Sequence, residues 1–396
     1  MIPPFISFII ILILILIFSK YELGIILLIG AILFGLLAEV NLITVFGNVF
    51  LDPSIILLAI AVTLIPLLGA IMEESKMMLE LIEKLNISKK FALMLSPALF
   101  GLLPVAGGAL MSAPIVDQID PELNVNQKVA INVWFRHVFI LIYPLASTII
   151  VSSVLTQIPL YTIVLVMLAP FSLMVLLGYI FLIRSIPKSE KNNHRDLKRS
   201  SRNFIPIIIA PIIDLIGRTF WKDFEYEEIF LVIGLIISLI IGLKFADYGF
   251  KSLLKFSKTM KVWRFPLLIL SMFLFLEIFI ESGVPDQIAT LNLPLILFLI
   301  LSFILGYSTG RSQLPLTILI PIYLTQYGLT VFPIFDFALI YSATFLGYII
   351  TPLHPCVSYT YQYFKTDYKS TFKYLALPTF ISFAVMLFLA LITFLF

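Results

Sequence analysis

The chain has 396 residues, 61% of them hydrophobic and only 12% charged, with a mean hydropathy of +1.09 and a formal net charge of +3. Soluble domains carry roughly 45–50% apolar and about 25% charged residues, so the composition excludes a water-soluble fold and predicts an all-α integral membrane protein whose partner is the lipid bilayer. The small net charge leaves no footprint for nucleic acid, and the single cysteine, Cys356, excludes an internal disulfide and any cysteine-based metal cluster. No cofactor and no resident metal are expected.

The first apolar run, Ile2 to Phe18, has no basic residues ahead of it and is followed by Lys20 and Glu22 instead of a small-residue cleavage site, so it reads as a retained span. Ile55 to Met72 also approaches the roughly 20 residues that crossing hydrocarbon requires. Phe91 to Val116 is apolar too, but its middle is Gly101-Leu-Leu-Pro-Val-Ala-Gly-Gly108. Val129 to Thr156 carries Pro144 near its centre, and Thr162 to Ile183 leads into a basic segment. In the second half, Pro294 to Tyr323 contains Gly306-Tyr-Ser-Thr-Gly-Arg-Ser-Gln313, Phe337 to Phe364 contains Pro352 and Pro355, and Tyr374 to Phe396 is a further apolar run.

Charge sets the expected topology. Arg184 to Arg202 holds seven Lys or Arg against Glu190 and Asp196, and Lys244 to Arg264 holds six against Asp247; the positive-inside rule puts both in the cytoplasm. Lys76 to Lys90 and Lys365 to Lys373 join them. Segments 39–52, 223–228 and 281–293 are acidic or poor in basic residues and fit the outside. Between the inside segments at 75–90 and 184–202, three full crossings end on the wrong face. The parity is restored if the hairpin 91–116 enters and leaves on one side, turning at its Gly/Pro tip. The same holds for the hairpin 294–323 from the opposite side.

Sliding the chain on itself by about 205–208 residues aligns Ile71-Met-Glu-Glu-Ser75 with Ile278-Phe-Ile-Glu-Ser282, one hairpin tip with the other, and Ile142-Tyr-Pro-Leu145 with Ile350-Thr-Pro-Leu353. The predicted architecture is about 10 transmembrane helices plus two re-entrant hairpins in two inverted repeats. Residues 1–183 form the first repeat, 184–203 a basic cytoplasmic linker and 204–396 the second repeat, with both termini outside. Interrupted helices at the midplane of inverted repeats are a hallmark of secondary transporters.

Proline removes a donor and clashes with the preceding turn, so both proline-bearing spans are expected to be broken helices. Polar residues follow each break, including Ser147 in the first; Thr351 precedes Pro352, and Ser358 lies beyond it. Unwound backbone exposes amides at the next helix start, an anion site by dipole and by free donors. An arginine at mid-membrane is normally there for a partner. Arg311 has no acid within its hairpin, which leaves either a distant carboxylate, Glu277 or Asp336, or an external anion. Arg136 lies early enough in its span to snorkel to the cytoplasmic face; His137 and His354 are weaker candidates. The tip residues Gly107, Gly108, Ser112, Thr309, Ser312 and Gln313 permit close backbone approach and supply neutral donors and acceptors.

Three stretches carry a resemblance: Pro104-Val-Ala-Gly-Gly-Ala-Leu-Met-Ser-Ala-Pro-Ile-Val-Asp117, Asn132-Val-Trp-Phe-Arg-His137, and Pro352-Leu-His-Pro-Cys356 with Tyr363-Phe364. The chain resembles an uncharacterised family of prokaryotic integral membrane proteins of unknown function, grouped with the ion transporter superfamily of gluconate and citrate permeases. The resemblance implies a scaffold domain, a mobile domain of two hairpins and two broken helices, a homodimer, and elevator-like symport of organic anions with Na⁺ or H⁺. It differs from the dicarboxylate branch in lacking a paired Ser-Asn-Thr hairpin motif; the tips here read Val-Ala-Gly-Gly and Thr-Gly-Arg-Ser.

The leading expectation is a secondary active transporter of a small anion, an organic acid, in the cytoplasmic membrane. A cation/proton antiporter using Asp214, Glu277 or the histidines is the nearest alternative, and an ion channel the next. No enzyme is expected: His194 sits in the basic loop, and no His-Glu-x-x-His, Gly-x-Gly-Asp or Gly-x-Ser-x-Gly motif is present.

Overall fold

The computed structural model describes residues 3–18, 21–83, 87–102, 108–187 and 197–395, and these form helices joined by short turns, with no strand among them. Seven of the described helices are long and apolar enough to cross a membrane, or eight if Ser252–Thr259 and Arg264–Glu281, bent by 55°, count as one span. The protein is a multi-pass membrane protein. The first two helices, Pro4–Phe18 and Leu23–Leu37, have 15 residues each, about 22 Å at the helical rise, less than the roughly 30 Å of a hydrocarbon core.

Apolar residues surround most helices instead of forming one stripe, as expected where lipid covers the outer face. The long helices Leu160–Ile183 and Tyr368–Thr393 bury only a third of their most apolar windows, whereas Ile334–Phe364 buries 78%. That last span is the centre of the molecule.

Both proline-bearing spans are interrupted where the sequence predicts. Val125–Val138 continues as a short 3-10 turn, Phe139–Ile142, and the helix resumes at Ser147–Thr156 after the Pro144 segment. Ile334–Ile350 stops before Pro352, and Pro355–Phe364 begins with proline at its first position. There the absent N–H costs nothing. Where the hairpins are expected, Lys89–Leu102 packs on Gly108–Ile119, the residues between them lying outside those described, and Leu295–Thr309 packs on Gln313–Tyr327. The second tip turns on Gly310, at φ +62°.

Packing is reciprocal between the halves. The first arm of each hairpin lies on the first part of the broken helix in its own half. The second arms cross over: Gln313–Tyr327 packs on Ser147–Thr156, and Gly108–Ile119 on Pro355–Phe364. Outside this group, Pro53–Glu74 and Arg264–Glu281 pack on one another; the first also packs on Glu228–Phe245, the second on Leu23–Leu37.

Two glycines mark close approaches between the first arm of each hairpin and its broken helix. A Cβ on Gly101 would lie 1.7 Å from the carbonyl oxygen of Arg136, and one on Gly306 would lie 2.2 Å from that of Thr344. Backbone cannot yield at those distances, so only glycine fits either place.

Candidate functional site

Where the two breaks and the second hairpin tip meet, the protein forms an open cavity of about 360 Å³, a volume suited to a small organic molecule. Its wall is made from the break residues Leu145 to Thr148 and Leu353 to Cys356, the tip residues Thr309 to Gln313, and Gly101 and Leu102 of the first hairpin. Val62 and Ile65 of Pro53–Glu74 and Phe265 of Arg264–Glu281 close it from the other side with apolar surface.

Arg136 and Arg311 both face this cavity. None of the ion pairs among the described residues reaches either one. Arg136 is 4% exposed and its Nη1 has no hydrogen-bond partner; it does not snorkel to a membrane face. The distant carboxylates that might have satisfied Arg311 are bonded elsewhere. Glu277 accepts from Asn48 Nδ2 at 3.0 Å, and Asp336 accepts from the Tyr323 hydroxyl. Asp214 lies in a separate network with Arg218 at 2.9 Å and Tyr161 at 3.0 Å. Two guanidinium charges therefore share one cavity whose lining contains no carboxylate.

Backbone adds to this positive field. The helices Ser147–Thr156, Gln313–Tyr327 and Pro355–Phe364 all start at the cavity wall, and none has a side-chain cap on its first turn. Uncapped N-terminal amides with the macrodipole behind them favour negative charge. The two halves are tied together here: Gln313 Nε2 donates to Ser147 Oγ at 2.9 Å, and Thr148 Oγ1 and Ser312 Oγ are 2.9 Å apart. Thr309 Oγ1 donates to the Leu305 carbonyl at 2.7 Å and accepts from the Arg311 amide at 3.2 Å, fixing the tip.

The histidines meet. His137 Nε2 and His354 Nε2 are 2.8 Å apart, and the Tyr348 ring lies tilted against His354 with centroids 4.4 Å apart. The Cys356 thiol lies beside the pair. The nitrogen and sulfur atoms of His137, His354 and Cys356 all fall within 4.8 Å of one another, which raises the question of a metal. Two nitrogens on one tetrahedral zinc sit about 3.3 Å apart, from bond lengths of about 2.0–2.1 Å. The observed 2.8 Å is a hydrogen-bond separation, and two arginines line the same cavity, opposing a cation. The trio fits a hydrogen-bonded group and not a ligand set.

Of the residues singled out from sequence, Arg311, Arg136, His137, His354, Thr309, Ser312, Gln313 and Ser147 line this cavity. Ser112, Thr351 and Ser358 do not. Ser112 donates to the Ala109 carbonyl, Thr351 Oγ1 accepts from the Leu353 amide, and Ser358 donates to the Pro352 carbonyl, so each stabilises local backbone. Gly108 opens the second arm of the first hairpin, and Gly107 lies outside the described residues. Thr148, noted only as one of the polar residues past the first break, reaches the cavity, as do Tyr348 and Cys356, which were not candidates. For Thr148 the signal was its position directly after Ser147 at an uncapped helix start; for Cys356, two positions beyond His354.

Residues 4–394 match the family model described as "Protein of unknown function (DUF401)", and the chain belongs to that family. No curated protein matches it.

Proposed function

We propose that this DUF401 protein is a secondary active transporter that moves a small organic anion across the cytoplasmic membrane by alternating access. The observation that carries the reading is the cavity lined by two guanidinium groups, Arg136 and Arg311, which no ion pair among the described residues reaches, with three uncapped helix starts and no carboxylate in its wall. A buried charge without a partner is costly, so an external anion supplies the missing counter-charge. A cation site needs the opposite lining, and the buried acid Asp214 is held by Arg218 away from the cavity.

The architecture we propose is two inverted repeats with re-entrant hairpins, giving about ten spans with both termini outside. The exchange of hairpin arms between halves supports it. So does the spacing: Gly101 and Gly306 are 205 residues apart, and the carbonyls they abut, on Arg136 and Thr344, are 208 apart, the same offset at which the sequence repeats. Kinship with the gluconate and citrate permeases of the ion transporter superfamily, a homodimer, and coupling to Na⁺ or H⁺ belong to the same proposal. In such a cycle the hairpins and broken helices move as one body past the apolar wall of Val62, Ile65 and Phe265.

The test is the melting temperature of the purified protein against acetate, succinate, citrate, phosphate and sulfate, with and without Na⁺. Binding to the folded state raises apparent stability by about 2.7 kcal/mol at a hundred times Kd. The expected result is stabilisation by at least one anion in the wild type and none in Arg311→Ala. Stabilisation by Na⁺ alone, or an unchanged response in the variant, overturns the reading.

A further inference from the structure

The elbow that joins Glu228–Phe245 to Arg264–Glu281 has two unlike faces. Its short helix, Ser252–Thr259, is bent by 55° from the span that follows it. On one face Phe256, with Met260 and Val262 just beyond the helix, is buried in a cluster with Leu67, Leu68 and Ile71 of Pro53–Glu74 and Leu239 and Leu243 of Glu228–Phe245. On the other face Leu254 is 70% exposed. Residues three positions before and four after a helical residue share its face, and here both are lysines, Lys251 and Lys258, with Lys255 alongside. Phe250 at 69% and Trp263 at 51% exposure flank the helix at its two ends. All three lysines are exposed, and none enters an ion pair among the described residues. From Lys244 to Arg264 six basic residues stand against one acid, Asp247.

Lysines alone suit a surface in water, and exposed apolar side chains alone suit lipid tails. The two interleaved at the end of two spans suit the level where tails give way to headgroups. Tryptophan favours that level, and a lysine there keeps its stem among apolar groups while its ammonium reaches the phosphates. We propose that this elbow is a binding site for anionic phospholipid, Lys251, Lys255 and Lys258 holding the headgroup phosphates while Phe250, Leu254 and Trp263 enter the upper acyl region. Charge selects the headgroup: a zwitterionic lipid brings an ammonium of its own to a cluster of lysines, whereas an anionic one brings only the opposite charge. None of these six residues lines the anion cavity, so the site stands apart from the transport reading. Through its buried face the elbow is fixed to Pro53–Glu74, so the lipid ties that helix to the membrane surface.

The experiment is fluorescence quenching by brominated lipid. The chain has three tryptophans; Trp134 is fully buried, and Trp221→Phe leaves Trp263 as the exposed indole. That protein is reconstituted into vesicles of phosphatidylcholine with phosphatidylglycerol as the minor lipid, bromine being carried on the acyl chains of one lipid or the other. Quenching of Trp263 then reports the lipid beside it. The expected result is phosphatidylglycerol enriched about fivefold or more over its bulk share, the weight of one lysine near an anionic headgroup layer. The enrichment is expected to shrink at high salt and to vanish when Lys251→Gln, Lys255→Gln and Lys258→Gln are combined. Quenching by each lipid in proportion to its bulk share, with all three lysines present, overturns the site. So does enrichment that persists in the triple variant, which places anionic lipid elsewhere on the protein. Enrichment abolished by soluble glycerol phosphate also overturns it, replacing the lipid with a free phosphate ester. The protein with its lysines intact decides the first outcome by itself, and the three substitutions fall on exposed side chains.

Discussion

Arg311 and Arg218 are both buried or half-buried cations in apolar helical surroundings, and they predict opposite behaviour. Arg218 is paired with Asp214, whose side chain is 1% exposed, at 2.9 Å, and with Glu227 at 2.7 Å. Removing one partner of a buried pair strands the other charge, so Arg218→Ala is expected to lose about 3–5 kcal/mol of stability. Arg311 has no such partner, and Arg311→Met in ligand-free protein is expected to be neutral or stabilising by about 1–2 kcal/mol. Thermal unfolding of both variants in one detergent checks the contrast; a strongly destabilised Arg311→Met would give that residue a structural role. Arg311 was legible in the sequence because its hairpin contains no acid. The meeting of His137 with His354 was not: 217 positions separate them, and no local pattern states which residues of two distant breaks will face one another. Ser358 and Thr351 show the reverse failure, since a polar residue next to a broken turn can equally satisfy the turn's own backbone.

Among the helices, glycine sets how closely hairpin and broken helix approach. Gly306→Ala places a methyl group against the Thr344 backbone, and Gly101→Ala against that of Arg136. Overpacking of this kind costs about 1–3 kcal/mol, occasionally more, and contacts to backbone put both at or above the upper end. Gly47 has nothing within 4 Å of its added Cβ, so Gly47→Ala is expected to be neutral or slightly stabilising. Equal melting temperatures for all three would contradict the close approach. The breaks themselves were readable from Pro144 and Pro352, because proline acts locally. Helix lengths were less so. Ile2 to Phe18 reads as one full span by hydropathy, and the described part of that helix has 15 residues.

At the scale of the whole molecule, the proposed inverted repeats make a topological prediction. In a Cys356→Ala background, single cysteines at Phe224 and Lys255 are expected to label from opposite faces of the membrane, the first from outside. Labelling from the same face would contradict the inverted arrangement. Charge distribution and spacing carried this reading in the sequence. The reciprocal packing that supports it required the structure, since each contact joins residues from different halves.

The most direct test of the central claim is counterflow in proteoliposomes of the anion that stabilises the purified protein. Vesicles preloaded with that anion and diluted into a trace of its labelled form are expected to accumulate label transiently and saturably with the wild type, and not with Arg311→Ala. No accumulation by the wild type, or accumulation equal in the variant, would contradict an anion transporter built on this cavity.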